Sequence, residues 1–137
     1  MEPERILKAA KSKGLGAVAI ADHNTFECHA KKISSKDVIL IPAEEISTSN
    51  GHVIGLFLNH HVPGGDFFDV GDSISAQDGI IVLAHPYRKS KEVESVKDYI
   101  DVVEAFNART SDELNRKAGA FAKKNKIPVI AGTDAHF

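Results

Sequence analysis

Short apolar runs that each lead into a histidine or a carboxylate constrain the fold of this chain most. Residues 17–21 (AVAIA) run into Asp22 and His23, and residues 80–84 (IIVLA) run into His85. An uninterrupted apolar run of this kind is typical of a strand buried on both faces, as in a parallel sheet. Parallel α/β folds carry their chemistry at the carboxyl ends of such strands. The pattern therefore predicts an α/β fold with a polar site at one end of its sheet.

Six strands and three longer helices are predicted along the chain. The strands are residues 17–21, 38–41, 52–58, 80–84, 101–106 and 128–132; the helices are 2–14, 69–77 and 111–125, with short helical segments around 25–32 and 88–99. Pro42 is expected to close the second strand, and the third to return as the arm of a short hairpin. This alternation favours one α/β domain over residues 1–137, with a parallel sheet that is open or rolled toward a barrel.

Composition narrows the class of protein. The chain has 137 residues, of which 42% are apolar and 26% are charged, as in ordinary soluble globular proteins. Its net charge of −2 gives no support to a general nucleic-acid-binding surface, although a local pocket for a small anion remains compatible with it. The only cysteine, Cys28, is expected to be a small buried hydrophobe and allows no intrachain disulfide. This single cysteine favours a reducing cytoplasm, and the lack of an apolar run of roughly 18 residues predicts no membrane span.

Side chains suited to metal ligation recur where the predicted strands end. They are His23, Glu45, His85, Asp134 and His136, joined by His52 if the hairpin folds back over the same face. Imidazole and carboxylate suit Zn, Mn or Fe, and the lack of thiolates argues against a structural zinc cluster. Each residue alone is as well explained as a loop histidine or a solvated acid. Their recurrence at one topological position favours a divalent metal site.

Other polar residues leave two interpretations open. Arg88 could hold a substrate phosphate through its forked guanidinium, or it could lie on a solvated helix face. Asn107 follows a strand and either supports the site or forms a turn. The remaining histidines, His29, His60 and His61, are predicted to be surface residues.

Six segments together resemble the polymerase and histidinol phosphatase (PHP) domain family. They are GLGAVAIADHN (14–24), IPAEEIS (41–47), GHVIGLFL (51–58), GIIVLAHPYR (79–88), VVEAFNA (102–108) and IPVIAGTDAHF (127–137). The resemblance implies a distorted TIM-like barrel of about seven β/α units, here incomplete and lacking the first strand and the C-terminal end. It also implies a metal-dependent phosphoesterase that hydrolyses a phosphomonoester, a nucleotide or a nucleic-acid-end phosphate with metal-activated water.

The resemblance assigns roles to individual residues. It makes ligands of His23, Glu45, His52, His85, Asp134 and His136, and it gives His23, Asp134 and His136 catalytic roles as well. The family's first strand carries an HxH motif that this sequence does not match. Of up to three divalent ions in the intact family site, the one held by Glu45, His52 and His85 therefore has the nearly complete ligand set. Weak activity is expected of this chain by itself.

Two alternative functions and one assembly state accompany this interpretation. The chain could be a non-catalytic metal-binding or protein-interaction barrel, or a metal-dependent amidohydrolase. The expected partner is a small phosphorylated substrate or a nucleotide. Absence of the first strand would leave a sheet edge exposed, which predicts a homo-oligomer formed through that edge.

Overall fold

The computed structural model describes residues 2–29 and 33–136. Within these residues the chain forms α1 (Pro3–Ser12), β1 (Ala17–His23), β2 (Ile39–Thr48), β3 (Gly51–Leu56), α2 (Phe67–Ser75), β4 (Ile80–Leu83), β5 (Val102–Asn107), α3 (Asp112–Lys124) and β6 (Val129–Gly132). The segments predicted as short helices each contain one 3-10 turn, Glu27–His29 and Glu94–Val96. Residues 30–32 of the first of these segments lie outside the described part.

The six strands form one sheet in the order β1-β2-β3-β4-β5-β6. β3 runs antiparallel to both of its neighbours, as the predicted hairpin requires, while β1–β2, β4–β5 and β5–β6 are parallel pairs. The sheet is curled. This is evident from the ring of His23, on the first strand, which lies 5.3 Å from the ring of His136, just beyond the last strand. The described fold is therefore an incomplete α/β barrel, as predicted.

Capping residues set where the longer helices begin. Asp66 accepts hydrogen bonds from the backbone N–H groups of Phe68 and Asp69, so α2 starts before the predicted residue 69. Ser111 caps α3 in the same way through the N–H of Leu114, so this helix begins close to the predicted residue 111. None of the described helices combines the length and the apolar character needed to cross a bilayer.

Alternation along the strands divides the core into two layers. Ile81 and Leu83 of β4 pack against the helices on the outer face of the sheet, together with Ile46. Val82 points to the inner face and packs with Ala43. Because Glu45 lies between Ile46 and the outer-facing Glu44 on β2, this period of two directs its carboxylate to the inner face.

Two expectations about the strands are wrong. β1 is not buried on both faces: only Ile20 is buried, because β1 pairs with β2 alone in the described part of the chain. Pro42 does not close β2, which continues to Thr48. Pairing with β3 begins only at Ala43, so Pro42 has a strand on one side and its missing N–H is tolerated. His29 compensates further, since its Nε2 lies 2.9 Å from the carbonyl of Ile20, the register partner of Pro42.

Candidate metal centre

One buried carboxylate, that of Glu45, gathers three imidazoles. Its Oε1 lies 3.0 Å from His52 Nδ1 and 3.1 Å from His85 Nε2. Its Oε2 lies 3.1 Å from His23 Nε2. The two Oε1-facing nitrogens are themselves only 3.3 Å apart. Four of the six predicted ligands therefore share one cluster.

Strand register explains why these four residues meet. The parallel β1–β2 pair places His23 directly opposite Glu45, so both side chains lie on the inner face. The hairpin places His52 opposite Ser47, two residues beyond Glu45 on the same face. The N–H of Ala84 donates to the carbonyl of His52 at 3.2 Å, which brings His85 beside the imidazole of His52. Asp22 and His23 thus belong to the strand and not to the loop after it.

The cluster holds a carboxylate with a low pKa beside an imidazole with a low pKa. Burial alone would raise the pKa of Glu45, but the hydrogen bond to His85 and the neighbouring imidazoles outweigh burial and lower it. Burial lowers the pKa of His52, and the attraction of Glu45 offsets that effect only in part. Near neutral pH, Glu45 is therefore charged and His52 is neutral, which are the forms that bind a metal.

The donor atoms fit a divalent transition-metal ion. Ligand atoms about 2.0 Å from a tetrahedral ion are roughly 3.3 Å apart. The triangle of Glu45 Oε1, His52 Nδ1 and His85 Nε2 has edges of 3.0, 3.1 and 3.3 Å. His23 supplies a further nitrogen on the other oxygen of Glu45, and the donor atoms of His23, Glu45 and His52 all lie within 4.8 Å of one another. Nitrogen and oxygen donors of this kind suit Zn, Mn or Fe.

The two C-terminal candidates occupy a different environment. Asp134 Oδ2 pairs with Arg88 Nη2 at 2.5 Å and accepts from Asn107 Nδ2 at 3.3 Å. These contacts overcome the effect of burial and lower the pKa of Asp134. His136 Nδ1 lies 3.5 Å from the other oxygen of Asp134. Asp134 and His136 therefore border the cluster, with the carboxylate already neutralised by a cation of the protein.

Arg88 and Asn107 belong to the surroundings of Asp134. Arg88 Nη1 also donates to Thr110 Oγ1 at 3.2 Å, so the guanidinium does not lie on a solvated helix face. Asn107 is fully buried, and its Nδ2 donates to both Asp134 and Glu104. Their predicted role in substrate binding stays a prediction.

Two further residues near the site were not predicted. Glu104 is buried within the predicted strand 101–106 (DVVEAF), where a charged residue between apolar neighbours is itself a signal. Burial raises its pKa. Arg109 Nη1 lies 2.8 Å from His136 Nδ1, and its side chain is exposed. No sequence pattern distinguishes Arg109 from other loop arginines.

Several polar residues away from the centre differ from expectation. Glu44 is 0% exposed and is bonded by His61 Nδ1 at 2.7 Å and by the N–H of Val62 at 3.0 Å, so it is not a solvated acid. His60 and His61 are exposed, as predicted, although His61 pairs with Glu44, whereas His29 is half-buried and contacts backbone carbonyls. Cys28 is only partly buried, and burial together with Asp22 raises its pKa to about 12.

The chain is therefore an α/β-barrel protein whose curled sheet carries a centre of histidine and carboxylate side chains on its inner face. The family follows from comparison with known sequences. The uncharacterized protein MJ1587 of Methanocaldococcus jannaschii is 39% identical over 122 residues, which cover 82% of this chain and 70% of that protein. Residues 112–137 match the PHP-associated family model. The chain belongs to the PHP-domain family.

A second relative is longer than this chain. The uncharacterized protein MJ0417 of the same organism is 35% identical over 150 residues, covering 100% of this chain and 60% of that protein. The chain therefore spans little more than half the length of this curated relative.

Solved structures share the fold at low sequence identity. A two-domain protein from Bacteroides vulgatus containing a predicted PHP-like metal-dependent phosphoesterase matches with a TM-score of 0.76 and 17% identity, over 99% of this chain and 48% of that one. A metal-dependent phosphoesterase candidate from Bifidobacterium adolescentis gives 0.74 and 14%, over 98% of this chain and 82% of that one. An amidohydrolase from Chromobacterium violaceum, solved with sulfate and no metal, gives 0.74 and 14%, over 96% and 81%.

Proposed function

We propose that this chain is a metal-dependent hydrolase whose substrates are small phosphate esters. The triangle of donor atoms from Glu45, His52 and His85 carries the proposal. Its edges of 3.0 to 3.3 Å match the coordination sphere of one small divalent ion. PHP-domain membership and the phosphoesterase descriptions of two fold neighbours support the same class of reaction.

Two candidate ion positions follow from the geometry. Glu45, His52 and His85 would hold one divalent ion. Glu45 would use its second oxygen, with His23, toward a neighbouring ion. A bound cation supplies Lewis acidity, which lowers the pKa of water and offsets negative charge on a phosphoryl oxygen. Zn, Mn and Fe all suit this donor set.

The protein's own residues would bind the ester and move the proton. His23 and His136 are partly exposed and lie side by side, so a substrate can approach both rings. Since His23 is assigned as a ligand, we assign His136 to protonate the leaving group. Arg109 is exposed next to His136 and offers free guanidinium donors to a phosphate. Arg88, held by Asp134, would orient that carboxylate and contact the phosphate only if the pair opens.

A metal-reconstitution assay tests the proposal. The chain is stripped with EDTA, supplied with Mn²⁺ or Zn²⁺, and assayed with p-nitrophenyl phosphate and nucleoside monophosphates. We expect metal-dependent phosphate release that Glu45→Gln abolishes. Glu44→Gln is the matched control, since it changes the adjacent buried acid on the opposite face. Absence of turnover with metal bound would refute the hydrolase.

An amidohydrolase is the second candidate. The fold neighbour from Chromobacterium violaceum is described as one, and its ligand is a sulfate ion with the shape and charge of a phosphate group. A panel of N-acyl amino acids assayed beside the phosphate esters separates the two reactions. Turnover of amides alone would replace phosphate esters as the substrate class.

A further inference from the structure

Glu104 is a buried acid that contacts the metal centre through the backbone and not through a ligand atom. It is 4% exposed, on β5. Its Oε2 accepts a hydrogen bond from the N–H of His85 at 2.7 Å and another from Asn107 Nδ2 at 3.1 Å. A carboxylate acceptor makes such bonds stronger than a neutral one does. The proposed reaction gives Glu104 no other task.

The residue that Glu104 holds has an unusual backbone. His85 has a φ of +26°, and Tyr87, two residues on, has a φ of +69°. Residues other than glycine rarely adopt this left-handed region, and surrounding contacts must hold them there. The side chain of His85 is only 2% exposed and ends at Glu45. Relaxing this turn would therefore move Nε2 away from the donor triangle.

We propose that Glu104 is a positioning residue of the metal centre, holding the left-handed turn at His85 so that its imidazole faces Glu45. The proposal rests on the assignment of His85 as a ligand in the proposed function. Through Asn107, which also donates to Asp134 Oδ2 at 3.3 Å, Glu104 links the backbone of His85 to the carboxylate of Asp134. One buried acid thus fixes groups in both parts of the site.

Gly132 on β6 provides the space that this arrangement needs. A methyl group at Gly132 would overlap Oε1 of Glu104. Gly132 does not have a positive φ, so alanine suits its backbone. Gly132→Ala therefore displaces the carboxylate of Glu104 without removing it. Gly119→Ala is the matched control, because a methyl group there meets no atom within 4 Å.

The first measurement is amide hydrogen exchange at His85, followed by NMR in the metal-free protein. Glu104→Ala and Gly132→Ala should speed exchange at this amide at least tenfold. Glu104→Gln, which keeps a carbonyl acceptor, should restore much of the protection. Gly119→Ala should match the wild type. Wild-type exchange in both Gly132→Ala and Glu104→Ala would overturn the proposal, and Gly132→Ala decides it alone if Glu104→Ala does not fold.

The second measurement is the affinity for Zn²⁺ by calorimetry. Loss of a residue that supports a metal ligand typically weakens binding about 10- to 100-fold, and we expect this range for Glu104→Ala and about tenfold for Gly132→Ala. Wild-type affinity in both variants would overturn the proposal. If the wild type binds Zn²⁺ but hydrolyses no ester, the proposed function fails while the role of Glu104 is still decided by exchange and affinity.

Discussion

Two groups of side chains can be compared. The Glu45 cluster consists of Glu45, His23, His52 and His85, and the Asp134 cluster of Asp134, Arg88, Asn107 and His136. Each surrounds a buried carboxylate, but the two carboxylates have different partners. Glu45 is surrounded by imidazoles, and burial keeps the pKa of His52 low. Asp134 is paired with the permanent cation of Arg88. Among the described residues, therefore, the first carboxylate has no fixed positive partner, whereas the second has one.

This difference predicts which part of the candidate site binds a metal ion first. At Glu45 a divalent ion would meet a charged carboxylate whose described side-chain partners are imidazoles, which can themselves bind the ion. At Asp134 the same ion would have to compete with a guanidinium. We therefore expect the first equivalent of metal to bind at Glu45, His52 and His85, and a further ion near Asp134 to bind more weakly.

The largest difference in Zn²⁺ affinity is expected between two variants, each of which lacks one imidazole from one of the clusters. His85→Ala removes a donor atom and should therefore weaken Zn²⁺ binding by a factor of 100 or more. This factor corresponds to a loss of about 2.7 kcal/mol or more of binding free energy. His136→Ala, beside Asp134, should change the first-equivalent affinity less than about tenfold. Titration calorimetry of the two variants measures both values. Equal losses would contradict the distinction between the clusters.

Breaking the Arg88–Asp134 pair should lower the stability of the metal-free protein. Arg88→Met leaves a mostly buried carboxylate without its cation and should lower the free energy of unfolding by about 1–2 kcal/mol, after allowance for the partly exposed guanidinium. Urea denaturation of the metal-free protein checks this value. The exposed pair of Lys11 and Asp37 is the control, since Lys11→Met should cost about 0–1 kcal/mol. Equal stability of Arg88→Met and wild type would remove the basis for calling Asp134 neutralised.

Acid should lower the stability of the metal-free protein, in part by removing the contribution of the Arg88–Asp134 pair. The pKa of Asp134 is lowered in the folded state, so its contribution is complete above its unfolded pKa of about 3.9 and is lost as pH falls through the folded value. The stability difference between wild type and Arg88→Met should thus be constant from pH 7 to about 5 and shrink below about pH 4. Denaturation curves across this range test it. A difference that grows toward acid pH would reverse the sign and contradict the pairing.

The positions of the strands were largely predictable from sequence, whereas the side-chain partners across the sheet and the burial of β1 were not. Apolar runs located each of the described strands, and the hairpin at His52 followed from the polar turn between two runs. Side-chain partners across the sheet are set by register, which sequence does not reveal. Glu104, His61 and the pairing of Arg88 with Asp134 therefore appeared only in three dimensions. The burial of β1 was mispredicted because an apolar run cannot distinguish an edge strand from a central one.

The smallest expected effect concerns Cys28, which lies outside both clusters. Its pKa of about 12 leaves almost no thiolate at pH 8, because burial and the neighbouring Asp22 disfavour the charge. Iodoacetamide should modify it at least tenfold more slowly than a free thiol does. Asp22→Asn should speed the reaction modestly. A labelling rate equal to that of free cysteine would contradict the assigned environment.

The most direct test of the central claim is an anomalous diffraction map at the zinc edge. Crystals of the chain loaded with one equivalent of Zn²⁺ should show one dominant peak within bonding distance of Glu45 Oε1, His52 Nδ1 and His85 Nε2. The Arg88–Asp134 pair should stay closed in the same crystals. A dominant peak at Asp134 and His136 with the Glu45 triangle empty would contradict the account.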